Sequence, residues 1–208
     1  MDIYIFGSVV RGEIDKFSDI DMLIIKDNNE NLKDISPEVY SIYTYDRIGD
    51  LWKEGNPFAW HLYLESKCVF TDNKVSFIKS LGRPNNYKNL KKDLYKFYKL
   101  YQDSQKSILE SQHSTDFDLS MIFLAIRNFA ACFSLGFVGK ANFTRDSAIN
   151  LDSYSLNINN NVYNNLKKAR LLATRGIGKT VTTDELNEIT NEFIEIEKWF
   201  NKILNLIS

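Results

Sequence analysis

At 208 residues the chain is long enough for one large core or two small ones. Its 26 basic and 27 acidic side chains leave a formal charge of −1, so no basic field marks nucleic acid as a partner, and two cysteines are too few for a disulfide framework. The opening Met1-Asp2-Ile3-Tyr4 lacks the basic cluster and long apolar run of a secretion signal or membrane span, which makes the cytoplasm the expected compartment, and Cys68 and Cys132 read as buried thiols.

Strand patterns crowd the first seventy residues, at about 2–7, 20–26, 39–45 and 67–71. A short helix is expected from Ser8 to about Glu13, and clearer ones over Arg47–Gly55 and Phe58–Leu64. Strands interleaved with helices over so short a span predict a small mixed sheet. Lys74–Leu81 reads as a short linking helix and Gly82-Arg83-Pro84-Asn85-Asn86 as a turn or linker, beyond which strand patterns stop.

From about residue 87 onward the apolar spacing is helical. Leu90, Leu94, Phe97, Tyr101, Ile108 and Leu109 mark one face, and Leu119, Ile122, Phe123, Ile126, Phe129, Ala130 and Phe133 mark a second helix ending near Gly136. A shorter segment is expected near Arg145–Leu151, and a third helix from about Asn161 to Thr174, stopped by Gly176. The last begins at Thr182, whose spacing to Glu185 is that of a capping box, and carries Leu186, Ile189, Phe193, Ile196, Phe200, Ile203 and Ile207. The fold class expected is α+β, with a mixed-sheet domain over residues 1–82 and an antiparallel helical bundle over residues 83–208.

The chemistry concentrates in Ile3-Tyr4-Ile5-Phe6-Gly7-Ser8 and, ten residues later, Asp19-Ile20-Asp21-Met22-Leu23-Ile24-Ile25. Alternate strand residues share a face, so Asp19 and Asp21 are expected to present two carboxylates about 7 Å apart. Such a pair repels itself unless a cation lies between, and oxygen-only ligation suits Mg²⁺ shared with substrate phosphates. Gly7 permits close backbone approach, and the helix start at Ser8 offers free N–H groups to an anion. Aspartate is disfavoured in strands, so two acids opening an apolar one point to function rather than packing. For Arg11 a solvated surface arginine and a triphosphate contact stand about level.

The run GSVVRGEIDKFSDIDMLII resembles the signature of the DNA polymerase β-type nucleotidyltransferase superfamily, in which Gly-Ser is followed by a spacer and an Asp-x-Asp strand. The resemblance covers residues 3–25 closely and the N-terminal third loosely. It implies a nucleotidyltransferase domain holding one or two Mg²⁺ ions at Asp19 and Asp21 and an NTP, ATP by resemblance, at Gly7, Ser8 and Arg11. A third acid on a neighbouring strand is common in that superfamily, yet the strand expected over Glu38–Tyr45 has no aspartate in its interior; Glu38 at its entrance is the candidate, with Asp46 more simply a helix N-cap.

The helical part resembles, more weakly, the bundles that accompany such domains in aminoglycoside nucleotidyltransferases and in the HEPN (higher eukaryotes and prokaryotes nucleotide-binding) superfamily. Ribonucleases of the latter carry Arg-polar-x(3–4)-His; here Arg127-Asn128 is followed by no histidine, which argues against RNA cleavage and makes Arg127 a structural or interface charge. Gly176-Ile177-Gly178-Lys179-Thr180 follows a helix and lacks the first glycine of a phosphate loop, so it reads as a helix stop. His61, in an aromatic helical stretch, reads as a packed histidine.

The function expected is transfer of NMP to a hydroxyl of a small molecule or protein. The alternative is a degenerate module that binds nucleotide or a partner protein. No membrane is expected as partner, and the bundle offers a surface for a homodimer or partner protein.

Overall fold

The computed structural model describes residues 1–13, 20–29, 40–111 and 113–207. The chain forms two compact units, Met1–Lys88 and Asn89–Ser208. The first contains β1 (Asp2–Phe6), α1 (Ser8–Arg11), β2 (Asp21–Lys26), β3 (Tyr40–Thr44), α2 (Tyr45–Glu54), α3 (Pro57–Glu65), β4 (Ser66–Thr71) and α4 (Phe77–Leu81). Its sheet runs β3-β2-β1-β4, with β1 antiparallel to both neighbours and β2 parallel to β3.

Alternation along the strands decides what the sheet buries. Tyr4 and Phe6 of β1 and Leu23 and Ile25 of β2 share one face, and they close over Ile48, Leu51 and Trp52 of α2, Ala59 and Leu62 of α3, and Ile78 of α4. Truncating one such aliphatic side chain to alanine costs about 2–5 kcal/mol. Asp2 is wholly buried at the start of β1. It accepts hydrogen bonds from Thr71 Oγ1 (2.6 Å), Tyr4 Oη (3.0 Å) and the Phe77 N–H (2.5 Å), while Tyr4 Oη accepts from the Ile78 N–H (3.0 Å). Two N–H groups at the start of α4, which lack acceptors within the helix, are thereby satisfied. Burial, the largest cause, with the Asp2 charge and hydrogen bond, pushes the Tyr4 phenol well above its ordinary range.

Helix starts follow side-chain capping. Thr44 caps α2 by accepting from the Arg47 N–H (3.2 Å), and Asn56 caps α3 by accepting from the Phe58 N–H (2.9 Å). Asp46 is therefore not the N-cap expected from the sequence; it lies in the first turn and accepts from Asn28 Nδ2 (3.2 Å). Segment Gly82–Asn86 is bonded back onto the unit: Trp52 Nε1 donates to Gly82 O (2.9 Å), Trp60 Nε1 to Asn85 O (3.1 Å), and Arg83 lies 5.0 Å from the Trp60 ring centroid. Gly55 makes room for it, since a Cβ there would sit 2.4 Å from the carbonyl oxygens of both Asn85 and Asn86.

The second unit comprises α5 (Leu90–Glu110), α6 (Thr115–Phe133) prolonged by a π turn over Ser134–Val138, α7 (Asn160–Arg175), α8 (Thr183–Asn191) and α9 (Phe193–Leu206). A single 3₁₀ turn spans Asp152–Tyr154, and the short helix expected near 145–151 is instead a run of turns. The last expected helix is two: a tight Glu192 N–H to Ile189 O bond (3.1 Å) separates α8 from α9. The capping box forms, with Thr182 Oγ1 accepting from the Glu185 N–H (3.3 Å) and Glu185 Oε2 from the Thr182 N–H (2.9 Å). Tyr101, Phe129, Trp199 and Phe200 build an aromatic centre, the Phe129 and Phe200 rings being 4.6 Å apart. Each such pair contributes about 0.5–1.5 kcal/mol beyond area burial.

Thr115–Val138 is long and apolar enough, by length and composition, to cross a membrane. Here Leu119, Ile122, Phe123, Ile126, Phe129, Ala130 and Phe133 are buried within the helical unit. Two sequence expectations are overturned at surfaces. Leu109 is 64% exposed rather than core-facing, and Cys68 is exposed because β4 is an edge strand, while Cys132 is buried as expected.

Candidate functional site

The two halves of the glycine–aspartate motif meet where β1 ends and β2 begins. Phe6 is paired with Asp21 across the antiparallel ladder, which sets Gly7 beside the Asp21 side chain. Gly7 has φ 77 and ψ −141, a conformation open to glycine alone. A Cβ at that residue would lie 2.9 Å from Asp21 Oδ2. The missing side chain is what lets a carboxylate lie against the backbone of the turn. Asp21 is half-buried, on the same face as Leu23 and Ile25 by strand alternation.

Ser8 opens α1, which is a single turn of four residues and not the longer helix expected through Glu13. Gly12 ends it in the left-handed region with φ 75, and the Glu13 N–H returns to Ser8 O (2.9 Å). One turn carries little macrodipole, and no side chain caps it at Gly7.

Arg11 is held rather than solvated. Its guanidinium bonds to Glu65 Oε2 through one terminal nitrogen, and Nε and the other terminal nitrogen both lie 2.9 Å from Glu13 Oε2. Glu65, at the end of α3, also has His61 Nε2 3.0 Å from Oε2. Its carbonyl accepts the Gly7 N–H (3.1 Å), so one residue grips both the turn and the arginine. Burial raises the Glu65 carboxyl, but the His61 hydrogen bond and charge and then the Arg11 charge outweigh it, and the net shift is downward. His61 packs edge-on against Phe6 at 5.6 Å between ring centroids, consistent with the packed histidine expected.

Asp19 and Glu38 lie outside the described residues. In β3 the described stretch Tyr40–Thr44 holds no carboxylate, and among the described residues no group of three or more His, Cys, Asp or Glu side chains is placed to hold a metal ion. Asp46 follows Thr44, which pairs with Lys26, whereas Asp21 lies five residues back along β2, about 17 Å away at strand rise. That separation removes Asp46 as a partner for Asp21.

Residues 1–91 match the family model described as a nucleotidyltransferase domain. The first unit is a nucleotidyltransferase domain. In this chain the nucleotidyltransferase domain is followed by a multi-helix bundle. No curated protein matches the chain.

The sequence reading missed Glu65. Its signal was the four-residue step from His61 on a helix running straight into a strand, which places both side chains on one helical face beside the Gly7 turn. In the bundle, Arg127 turns out to be a fastener: its guanidinium donates to Phe143 O (2.9 Å) and Thr144 O (3.4 Å), while its own carbonyl accepts from Ser147 Oγ (3.1 Å). Asp118, buried on α6, accepts from Ser107 Oγ (2.8 Å) and Ser114 Oγ (2.7 Å) and ties the end of α5 to the start of α6.

Proposed function

We propose that the chain is a Mg²⁺-dependent nucleotidyltransferase that moves a nucleoside monophosphate from an NTP, ATP by resemblance, to a hydroxyl of a small molecule or protein. The observation that carries the reading is the Asp21 carboxylate lying against the bare Cα of Gly7. A hard oxygen donor beside a turn without a side chain fits a magnesium-bound triphosphate on both counts. Asp21, with Asp19, would hold the metal; when bound, Mg²⁺ neutralises phosphate charge and lowers the acceptor hydroxyl's pKa.

The chain's own residues then have separate tasks. Gly7 and Ser8 admit the β- and γ-phosphates to the backbone, and Arg11 faces their charge. The acceptor oxygen bonds to the α-phosphorus as the bond to pyrophosphate breaks in line. Glu38 is the residue assigned to take the hydroxyl proton. Product formation is tested by incubating the protein with MgATP labelled at the α-phosphate and a panel of hydroxyl acceptors, wild type beside Asp21→Asn. Labelled acceptor with equimolar pyrophosphate, lost in the variant, supports the reading.

A second reading is favoured by one observation, the absence of a carboxylate from Tyr40–Thr44. A domain with only part of the acid set would bind nucleotide or a partner protein without turnover. MgATP binding with no pyrophosphate released under any acceptor would select it.

A further inference from the structure

Arg11 sits between two carboxylates of unlike exposure. The Glu65 side chain is 15% exposed and that of Glu13 is 52% exposed, with Arg11 itself at 17%. Glu65 is anchored by the protein on two sides, through His61 and through its carbonyl bond to the Gly7 N–H. Glu13 stands just past the left-handed Gly12 that closes α1, and its Oε2 spans Nε and one terminal nitrogen of the guanidinium. That two-nitrogen edge is the one a phosphate takes when arginine binds it in fork geometry, because carboxylate and phosphate oxygens suit the same pair of donors.

We propose that Arg11 is a triphosphate arm whose binding edge is held by Glu13 as an internal stand-in, while Glu65 is the positioning residue that keeps the arm at the Gly7 turn. An incoming triphosphate displaces Glu13 into solvent and leaves the Glu65 contact intact. The ordering follows from exposure: a solvent-facing ion pair is weak and easily exchanged, whereas removing one partner of a buried one leaves an uncompensated charge. Nucleotide affinity is therefore set partly by competition from the chain itself. The inference rests on the nucleotidyltransferase reading of this site and adds to it the residue that opposes binding.

The test is calorimetry of MgATP, and of inorganic tripolyphosphate with Mg²⁺, on wild type, Glu13→Gln, Glu65→Gln and Asp21→Asn, each repeated in an Arg11→Ala background. Arg11→Gln serves as second background should Arg11→Ala fail to fold. Glu13→Gln is expected to tighten both ligands by about two- to fivefold, the range of an exposed ion pair. Glu65→Gln is expected to weaken both by fivefold or more while circular dichroism stays unchanged. Neither effect should survive removal of the arginine charge. Unchanged affinity in Glu13→Gln, or tightening that persists without Arg11, overturns the proposal even where wild type binds and Asp21→Asn does not. Failure of wild type to bind either ligand instead overturns the nucleotidyltransferase reading beneath it.

Discussion

Gly7→Ala isolates the contact on which the site is built. Alanine at φ 77 and ψ −141 occupies a region reserved for glycine, at a cost of about 1–3 kcal/mol. Its Cβ would also stand 2.9 Å from Asp21 Oδ2, close enough that the carboxylate must shift. Gly82 supplies the control, because it has nearly the same backbone (φ 65, ψ −148) and nothing within 4 Å of a Cβ. Hydrogen exchange followed by mass spectrometry on β1 and β2 peptides reads the first unit by itself, which global unfolding of a two-unit chain does not. The backbone penalty corresponds to roughly 5- to 150-fold faster exchange for either substitution where exchange follows the opening equilibrium. Only Gly7→Ala should also lose MgATP binding, by roughly tenfold or more, since misplacement of a positioned group by under 1 Å is costly. Equal MgATP affinity in Gly7→Ala and Gly82→Ala would refute the argument that Asp21 and Gly7 form one site.

Gly55→Ala should be the most damaging glycine replacement, costing about 3 kcal/mol or more, because two backbone oxygens 2.4 Å away cannot rotate aside; hydrogen exchange on peptides of the first unit checks it against Gly12→Ala, which meets empty space. The Glu65 carboxyl is held below its ordinary range, so its contribution to stability is complete above the unfolded carboxylate pKa near pH ~4.3 and is lost as pH falls through the lower folded value. Acid titration should accordingly show wild type losing its advantage over Glu65→Gln only below about pH 4; a constant gap down to lower pH would contradict the assignment. Thr182→Ala should cost about 1 kcal/mol through loss of the capping box at α8, read as a lowered denaturation midpoint of the helical unit.

Much of this was legible because it depends on short-range pattern. Alternation in Ile3–Phe6 and Asp21–Ile25 predicts both strands, and an antiparallel pair with the glycine at one end and the acid at the start of the other brings Gly7 to Asp21. The capping box was readable for the same reason, two residues at fixed spacing. What local pattern does not encode is place in the sheet. Cys68 alternates like a core residue but belongs to an edge strand, and Leu109 lies one residue on from the wholly buried Ile108 and so turns away from the packed face of α5. Asp46 lost the cap to Thr44 because the strand ended one residue early, and a threonine at the junction reads as strand as readily as cap. The Arg11–Glu65 pair joins residues 54 apart and leaves no periodic trace in the sequence.

The most direct measurement is calorimetric titration of MgATP into wild type and Asp21→Asn, with metal-free ATP as reference. The substitution keeps the side chain's size against Gly7 and removes only its charge, so packing should persist while metal affinity falls. Wild type is expected to bind MgATP more tightly than ATP alone, and Asp21→Asn to lose that difference. A magnesium dependence that is the same in both proteins would contradict the account at its centre.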